Sequence, residues 1–226
     1  MTLIVTGLKQ ILDLGGPVVL LLLVVSVLTT ALVLYKVWQY QAARVGKHKQ
    51  LSQAVVAWDR GDGQAALAAV AQSRSYLVPV LKLALTAPQG AALAARADAE
   101  AEARFAKLER GLGALDMVAQ LAPLMGLFGT VIGMIEAFQK LQSAGSSVDP
   151  SLLAGGIWVA LLTTAAGLAM AMHAALVLSW FSDRMQRERV FANHALRVVF
   201  SPQGGSGAET AQEPAPAVAK ELAHAG

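Results

Sequence analysis

Three stretches of the chain stay apolar for longer than a buried helix of a soluble domain requires. The first centres on the uncharged run between Asp13 and Lys36, and predicts a membrane-spanning helix over residues 14–38. Its roughly 22 uncharged residues would reach about 33 Å at 1.5 Å per residue, enough for a hydrocarbon core near 30 Å. Pro17 falls in its first turn, where a missing N–H is tolerated. Tyr35, Trp38 and Tyr40 gather at its far end like an interfacial aromatic belt. The second stretch, 112–139, has an uncharged centre from Met117 to Ile135 that Asp116 and Glu136 bracket and that holds only Gln120 and Thr130 as polar groups. The third, 152–181, carries no formal charge and exceeds one bilayer thickness, so it must tilt or project beyond the membrane.

Between the first two spans the pattern changes to water-compatible helices. Residues 39–111 read as a helical region on one side of the membrane. Leu51–Trp58 forms one short helix, broken at Arg60-Gly61-Asp62-Gly63, and Gln64–Val70 resumes it. Tyr76–Ala87 is a third helix, closed by Pro88. From Ala91 onward helix formers dominate, and Glu100 and Arg104 make a favourable i,i+4 pair. That helix could run on into the second span, about 50 residues and 75 Å in all. Gly111 and Gly113 stand at the junction and weaken strict continuity. Residues 1–13 read as an interfacial segment, retained rather than cleaved as a leader. Residues 140–151 form a short loop and 182–200 a helical extension. Residues 201–226, rich in Ala, Pro, Gly and Glu, have almost nothing to bury and read as a disordered tail. The fold class is therefore all-α, a three-span protein with long helices extending into a cytoplasmic helical domain.

Composition sharpens this picture. Charged residues make up only 15% of the chain, well below the usual quarter of a soluble protein. The net charge of +3 is small, and no basic stripe with interleaved aromatics suggests nucleic acid. There is no cysteine, hence no disulfide or thiolate chemistry. Lys36, Arg44, Lys47 and Lys49 follow the first span, and Arg184, Arg187 and Arg189 follow the third. The positive-inside rule then places 39–111 and the C-terminus in the cytoplasm, with the N-terminus and the 140–151 loop outside.

Few groups could carry chemistry. His48, His173, His194 and His224 have no ligand spacing, so no metal site, cofactor or catalytic residue is expected. The polar residues inside the spans stand out instead. Gly126, Gly129 and Gly133 share one helix face and invite close approach of another helix. Thr130 lies beside them; its hydroxyl either bonds its own backbone or faces a cavity. Thr163 and Thr164, followed by Gly167, supply two more hydroxyls on the third span. His173 is an ionisable group in an apolar run, either functional or a neutral hydrogen-bonded residue between helices. Glu136 is a rim group or a pore mouth, and Pro123 should kink the second span. The uncharged centres of the spans, 14–35, 117–135 and 152–180, hold no carboxylate, lysine or arginine, so ion movement would need charge from another subunit.

Two motifs then fix a resemblance. Leu121-Ala122-Pro123-Leu124-Met125-Gly126-Leu127-Phe128-Gly129-Thr130-Val131-Ile132-Gly133-Met134, with Phe138, is one; Ala160-Leu161-Leu162-Thr163-Thr164-Ala165-Ala166-Gly167-Leu168-Ala169 is the other. In this order and with three spans they resemble the MotA/TolQ/ExbB proton-channel family, on its ExbB/TolQ side; the flagellar branch usually has four spans. The resemblance covers most of residues 15 to 200. It implies a homo-oligomer, a pentamer, in the bacterial inner membrane, with the N-terminus periplasmic and the C-terminus cytoplasmic. It further implies an ExbD/TolR-like single-span subunit whose aspartate is protonated and released beside Thr130 and Thr164, and a TonB/TolA-like protein that spans the periplasm. The cargo is not specified by the residues.

The chain departs from the family pattern at two places. A glutamate common five residues before the position of Thr164 is Val159 here, beside Trp158. The common Ala-Ile-Pro-Ala further on is Ala171-Met172-His173-Ala174. The resemblance implies a subunit of a proton-driven motor complex, against which stand a non-conducting membrane scaffold and a flagellar-type stator subunit.

Overall fold

A computed structural model describes residues 2–143 and 150–202. Most of the loop expected at 140–151 and nearly all of the tail expected at 201–226 lie outside those residues. The described chain is all-α: α1 (Thr2–Ala42), α2 (Lys49–Asp59), α3 (Gly63–Gln72), α4 (Val78–Thr86), α5 (Ala91–Glu109), α6 (Leu112–Ser143) and α7 (Pro150–Phe200). It divides into two compact units. One comprises residues 2–42, 105–143 and 150–187, the other 43–104 and 188–202.

Three helices are long and apolar enough to cross a bilayer, Gly16–Ala42, Leu112–Ser143 and Leu153–Phe200; the first two and the third as far as Arg187 belong to the first unit. At 1.5 Å per residue even the shortest reaches about 40 Å. Their outer surfaces are apolar, with Leu28, Leu34, Phe128, Leu161 and Leu176 each more than half exposed. Apolar surface on this scale needs lipid or protein to cover it. α1 is bent where Gly16 adopts φ 65°, ψ −176°. Only glycine takes that conformation without strain, and Pro17 starts the straight part of the helix from it. α1 packs on α6, where Val18 and Leu22 join Ala122 and Ala171 in a buried cluster.

The single long helix from Ala91 into the second span is not formed. α5 ends at Glu109 and α6 begins at Leu112. Gly111 lies between them at φ 95°, a left-handed conformation that ends a helix. The break is held from α1. Lys36 is 1% exposed, and its ammonium donates to Leu108 O and to Gln39 Oε1, each at 2.8 Å. Leu108 O belongs to the last turn of α5, whose carbonyls lack helical donors and carry the negative end of the helix dipole. Taking an ammonium out of water costs several kcal/mol, which these two bonds offset. Tyr40, one turn on, packs edge-on against Phe181 with ring centroids 5.0 Å apart.

In the second unit α2 packs on α3 and α3 on α4. Asp62 caps α3 by accepting the Ala65 N–H at 2.9 Å, and Pro79 opens α4, where the lost donor is harmless. Leu51, Val70, Leu77 and Val80 are fully buried, each worth about 1.5–3 kcal/mol of burial. Glu188 is 2% exposed. It accepts the Tyr76 hydroxyl at 2.8 Å and faces His48 Nε2 at 2.7 Å. The His48 ring stacks on Phe191 with centroids 4.2 Å apart. Arg104 donates to Tyr76 O at 3.1 Å and pairs with Glu100 at 2.7 Å.

Candidate functional site

The site grows out of how closely α6 and α7 approach. Gly126, Gly129, Gly133 and Ala137 recur at helical spacing and are buried on one face of α6. Gly156, Ala160, Thr163 and Gly167 recur likewise on α7 in antiparallel register, Gly156 half-buried and the other three buried. A Cβ on Gly167 would lie 2.6 Å from Ala122 O and 2.9 Å from Gly126 Cα. A Cβ on Gly129 would overlap the Thr163 methyl, and one on Gly156 would overlap Ala137 Cβ. Backbone therefore meets backbone along the seam, which is how apolar helices associate where water exclusion contributes nothing.

Three hydroxyls sit on or beside this seam, in different states. Thr163 is 1% exposed; its methyl fills the space over Gly129, and its hydroxyl donates to Val159 O of its own helix at 2.7 Å. Thr164 is half-buried and crosses the seam, its hydroxyl donating to Gly126 O at 3.3 Å. In an α-helix that same carbonyl accepts the N–H four residues on, which is Thr130. Thr130 is half-buried, and its hydroxyl donates to Leu127 O at 2.6 Å. Thr164 thus bonds the α6 backbone one helical turn before Thr130. Each has spent its only proton on α6 backbone and retains lone pairs to accept a hydrogen bond.

His173 is elsewhere. It lies nine residues beyond Thr164, about 13 Å along the helix and half a turn round it. There it is exposed and lines a groove of about 420 Å³ between α1 and α7, with Ser26 and Thr29. Glu136 occupies a third place, a crevice of about 300 Å³ at the end of the seam. Gly133, Gly155 and Gly156 also line that crevice, together with Lys140 and Val159. Val159 therefore faces the same crevice as Glu136. Pro123 is half-buried inside α6, which continues through it. Among the described residues no group of three or more His, Asp or Glu could hold a metal ion.

The profile of the MotA/TolQ/ExbB proton channel family matches residues 66–192, more than half of the chain. The chain belongs to that family. Among curated relatives, a Synechocystis protein described as an ExbB-like biopolymer transport protein is 43% identical over 104 residues, 45% of this chain and 40% of the relative. Biopolymer transport protein exbB1 of Vibrio cholerae is 44% identical over 77 residues, 33% of this chain and 34% of that protein. The Tol-Pal system protein TolQ of Pseudomonas aeruginosa is 38% identical over 80 residues, 35% of this chain and 34% of that protein. The chain thus spans 34% to 40% of the length of these relatives. As a MotA/TolQ/ExbB family protein with three span-length apolar helices it is a membrane protein.

Several groups in this family member have no local signature. Lys36 reads in the sequence as one more basic residue flanking a span, yet it is among the most buried side chains. Ser26 and Thr29 pass as helix hydroxyls; Thr29 donates to Val25 O at 2.7 Å. His48 and Glu188 meet across 140 positions, a separation that no spacing rule detects.

Proposed function

We propose that this chain is an inner-membrane subunit of a proton-motive-force-driven energy-transduction complex of the ExbB/TolQ kind. Copies of it, a pentamer by family resemblance, house the helix of an ExbD/TolR-like single-span partner. A TonB/TolA-like protein carries the work across the periplasm. The N-terminus is periplasmic and the C-terminus cytoplasmic, as the basic residues after the first and third spans require. The single observation that carries this reading is the pair Thr130 and Thr164 on the two facing helices, one bonded to Leu127 O and the other across the seam to Gly126 O, each within the uncharged centre of its span. Two oxygens with only lone pairs to offer suit a donor. A protonated carboxylic acid on the partner, or a water beside it, is such a donor; a carboxylate is not. The pair thereby favours the protonated state at one position of the partner. Glu136 stands at the pore mouth, His173 tunes the passage from the α1 side, and Thr163 keeps the seam closed.

The test is proton flux through vesicles holding the chain with its single-span partner. The Thr130→Val plus Thr164→Val variant removes both acceptors. At about 1 kcal/mol for each hydrogen bond it should slow flux about tenfold or more. Wild-type flux in that variant rejects the assignment. An assembled wild-type complex that passes no protons supports the non-conducting scaffold instead.

A further inference from the structure

The joint between α5 and α6 is built more carefully than a chain reversal needs. Lys36 is a lysine inside a span-length helix, 1% exposed, and its ammonium reaches two neutral oxygens of 2.8 Å geometry. One is Leu108 O, three residues before Gly111, where the chain turns at φ 95°. A Cβ on Gly111 would touch the Lys36 stem at 3.5 Å and Leu32 Cδ1 at 3.6 Å. Two backbone bonds flanking the turn each stay within one helix. Arg110 N–H goes to Ala106 O at 3.1 Å, and Ala114 N–H goes to Gly111 O at 3.2 Å.

We infer that Lys36 is the pin of a joint at Arg110–Gly111 and a positioning residue for α6. A break at a left-handed glycine leaves two helices free to swing about two backbone dihedrals. A hydrogen bond from a third helix to the last turn of α5 removes that freedom at the point of rotation. α6 emerges directly from the joint and carries both Thr130 and the Gly126 carbonyl to which Thr164 donates. A swing of α6 at its cytoplasmic end therefore displaces that pair. The pin itself is a matter of local geometry; its effect on proton flow rests on the function proposed above.

The test uses the full chain assembled with its partner in lipid. Three variants are compared: Lys36→Met, which keeps the stem and loses the donor; Gly111→Ala, which strains the turn and leaves Lys36 in place; and Leu32→Ala, which loosens the neighbouring packing and breaks no hydrogen bond. Hydrogen exchange over residues 106–115 reads the joint, and flux per assembled complex reads the consequence. The pin predicts that Lys36→Met speeds exchange there about tenfold or more, the scale of one lost hydrogen bond to a charged group, that Gly111→Ala does so by about tenfold through the strain of a left-handed alanine, and that each slows flux by a comparable factor. Leu32→Ala leaves flux per complex unchanged. Unaltered exchange in Lys36→Met overturns the inference, as does faster exchange with unaltered flux. So does a Leu32→Ala loss of flux equal to that of Lys36→Met, since packing alone would then explain both. If Lys36→Met fails to assemble, Gly111→Ala decides by the same two readings. A wild-type complex without proton flux sinks the proton reading and leaves the pin to the exchange measurement alone.

Discussion

Alanine placed at two glycines of the α6–α7 seam should give opposite results. At Gly167 the new Cβ would lie 2.6 Å from Ala122 O, 2.9 Å from Gly126 Cα and 3.1 Å from Gly126 N. All three atoms are backbone, so no rotamer change relieves the contact. Restoring ordinary separation needs the helices to part by about 0.8 Å, and a gap of that size forfeits a quarter to a half of each facing dispersion contact. Overpacking of this kind costs about 1–3 kcal/mol. At Gly133 the nearest atoms are Ala160 Cβ at 3.5 Å and Ala160 Cα and N at 3.6 Å, ordinary contact distances. Nothing moves there, and alanine gains up to about 1 kcal/mol of helix propensity over glycine. Both substitutions share that gain, so the two variants should differ by the overpacking cost alone, about 2 kcal/mol. For a chain of this size that corresponds to about 4–8 °C in melting temperature. The assay is thermal unfolding of the purified protein in one detergent, followed by tryptophan fluorescence and by loss of the monodisperse peak. Gly167→Ala melting within about 2 °C of Gly133→Ala, or above it, would refute the backbone-contact account of the seam.

Two further outcomes follow from the same geometry. Thr163→Val keeps the methyl over Gly129 and removes only a hydroxyl bonded within its own helix. Stability should change by no more than about 1 kcal/mol, and flux should stay at the wild-type level, in contrast to the Thr130 and Thr164 double variant; a large flux loss would put Thr163 on the conducting surface. Glu188→Ala removes the acceptor shared by His48 and Tyr76 in the second unit. It should cost on the order of 3 kcal/mol, read as faster proteolysis and hydrogen exchange in α2; unchanged protection of α2 would show the cluster to be unimportant for holding it.

The long-range order of the chain was legible in its residues because lipid enforces it. A span must satisfy its backbone internally and cover itself with apolar side chains, so unbroken runs of such residues announce the three membrane helices whatever they pack against. The glycine spacing at 126, 129 and 133 likewise announces a face, since helical periodicity is local. Partnership across the fold could not be read that way. Nothing near Gly111 in sequence says that its left-handed turn is held by Lys36, 75 positions earlier. Nothing near His173 says that it faces Ser26 and Thr29 rather than the threonines. The same holds for Thr163 and Thr164, adjacent residues of the same type. A rotation of about 100° around α7 puts one against glycine in the dry seam and lets the other reach across to the Gly126 carbonyl. Hydropathy and spacing depend on neighbours along the chain and determine which elements exist. Azimuth and register depend on which helix stands opposite, and only the packed structure decides those.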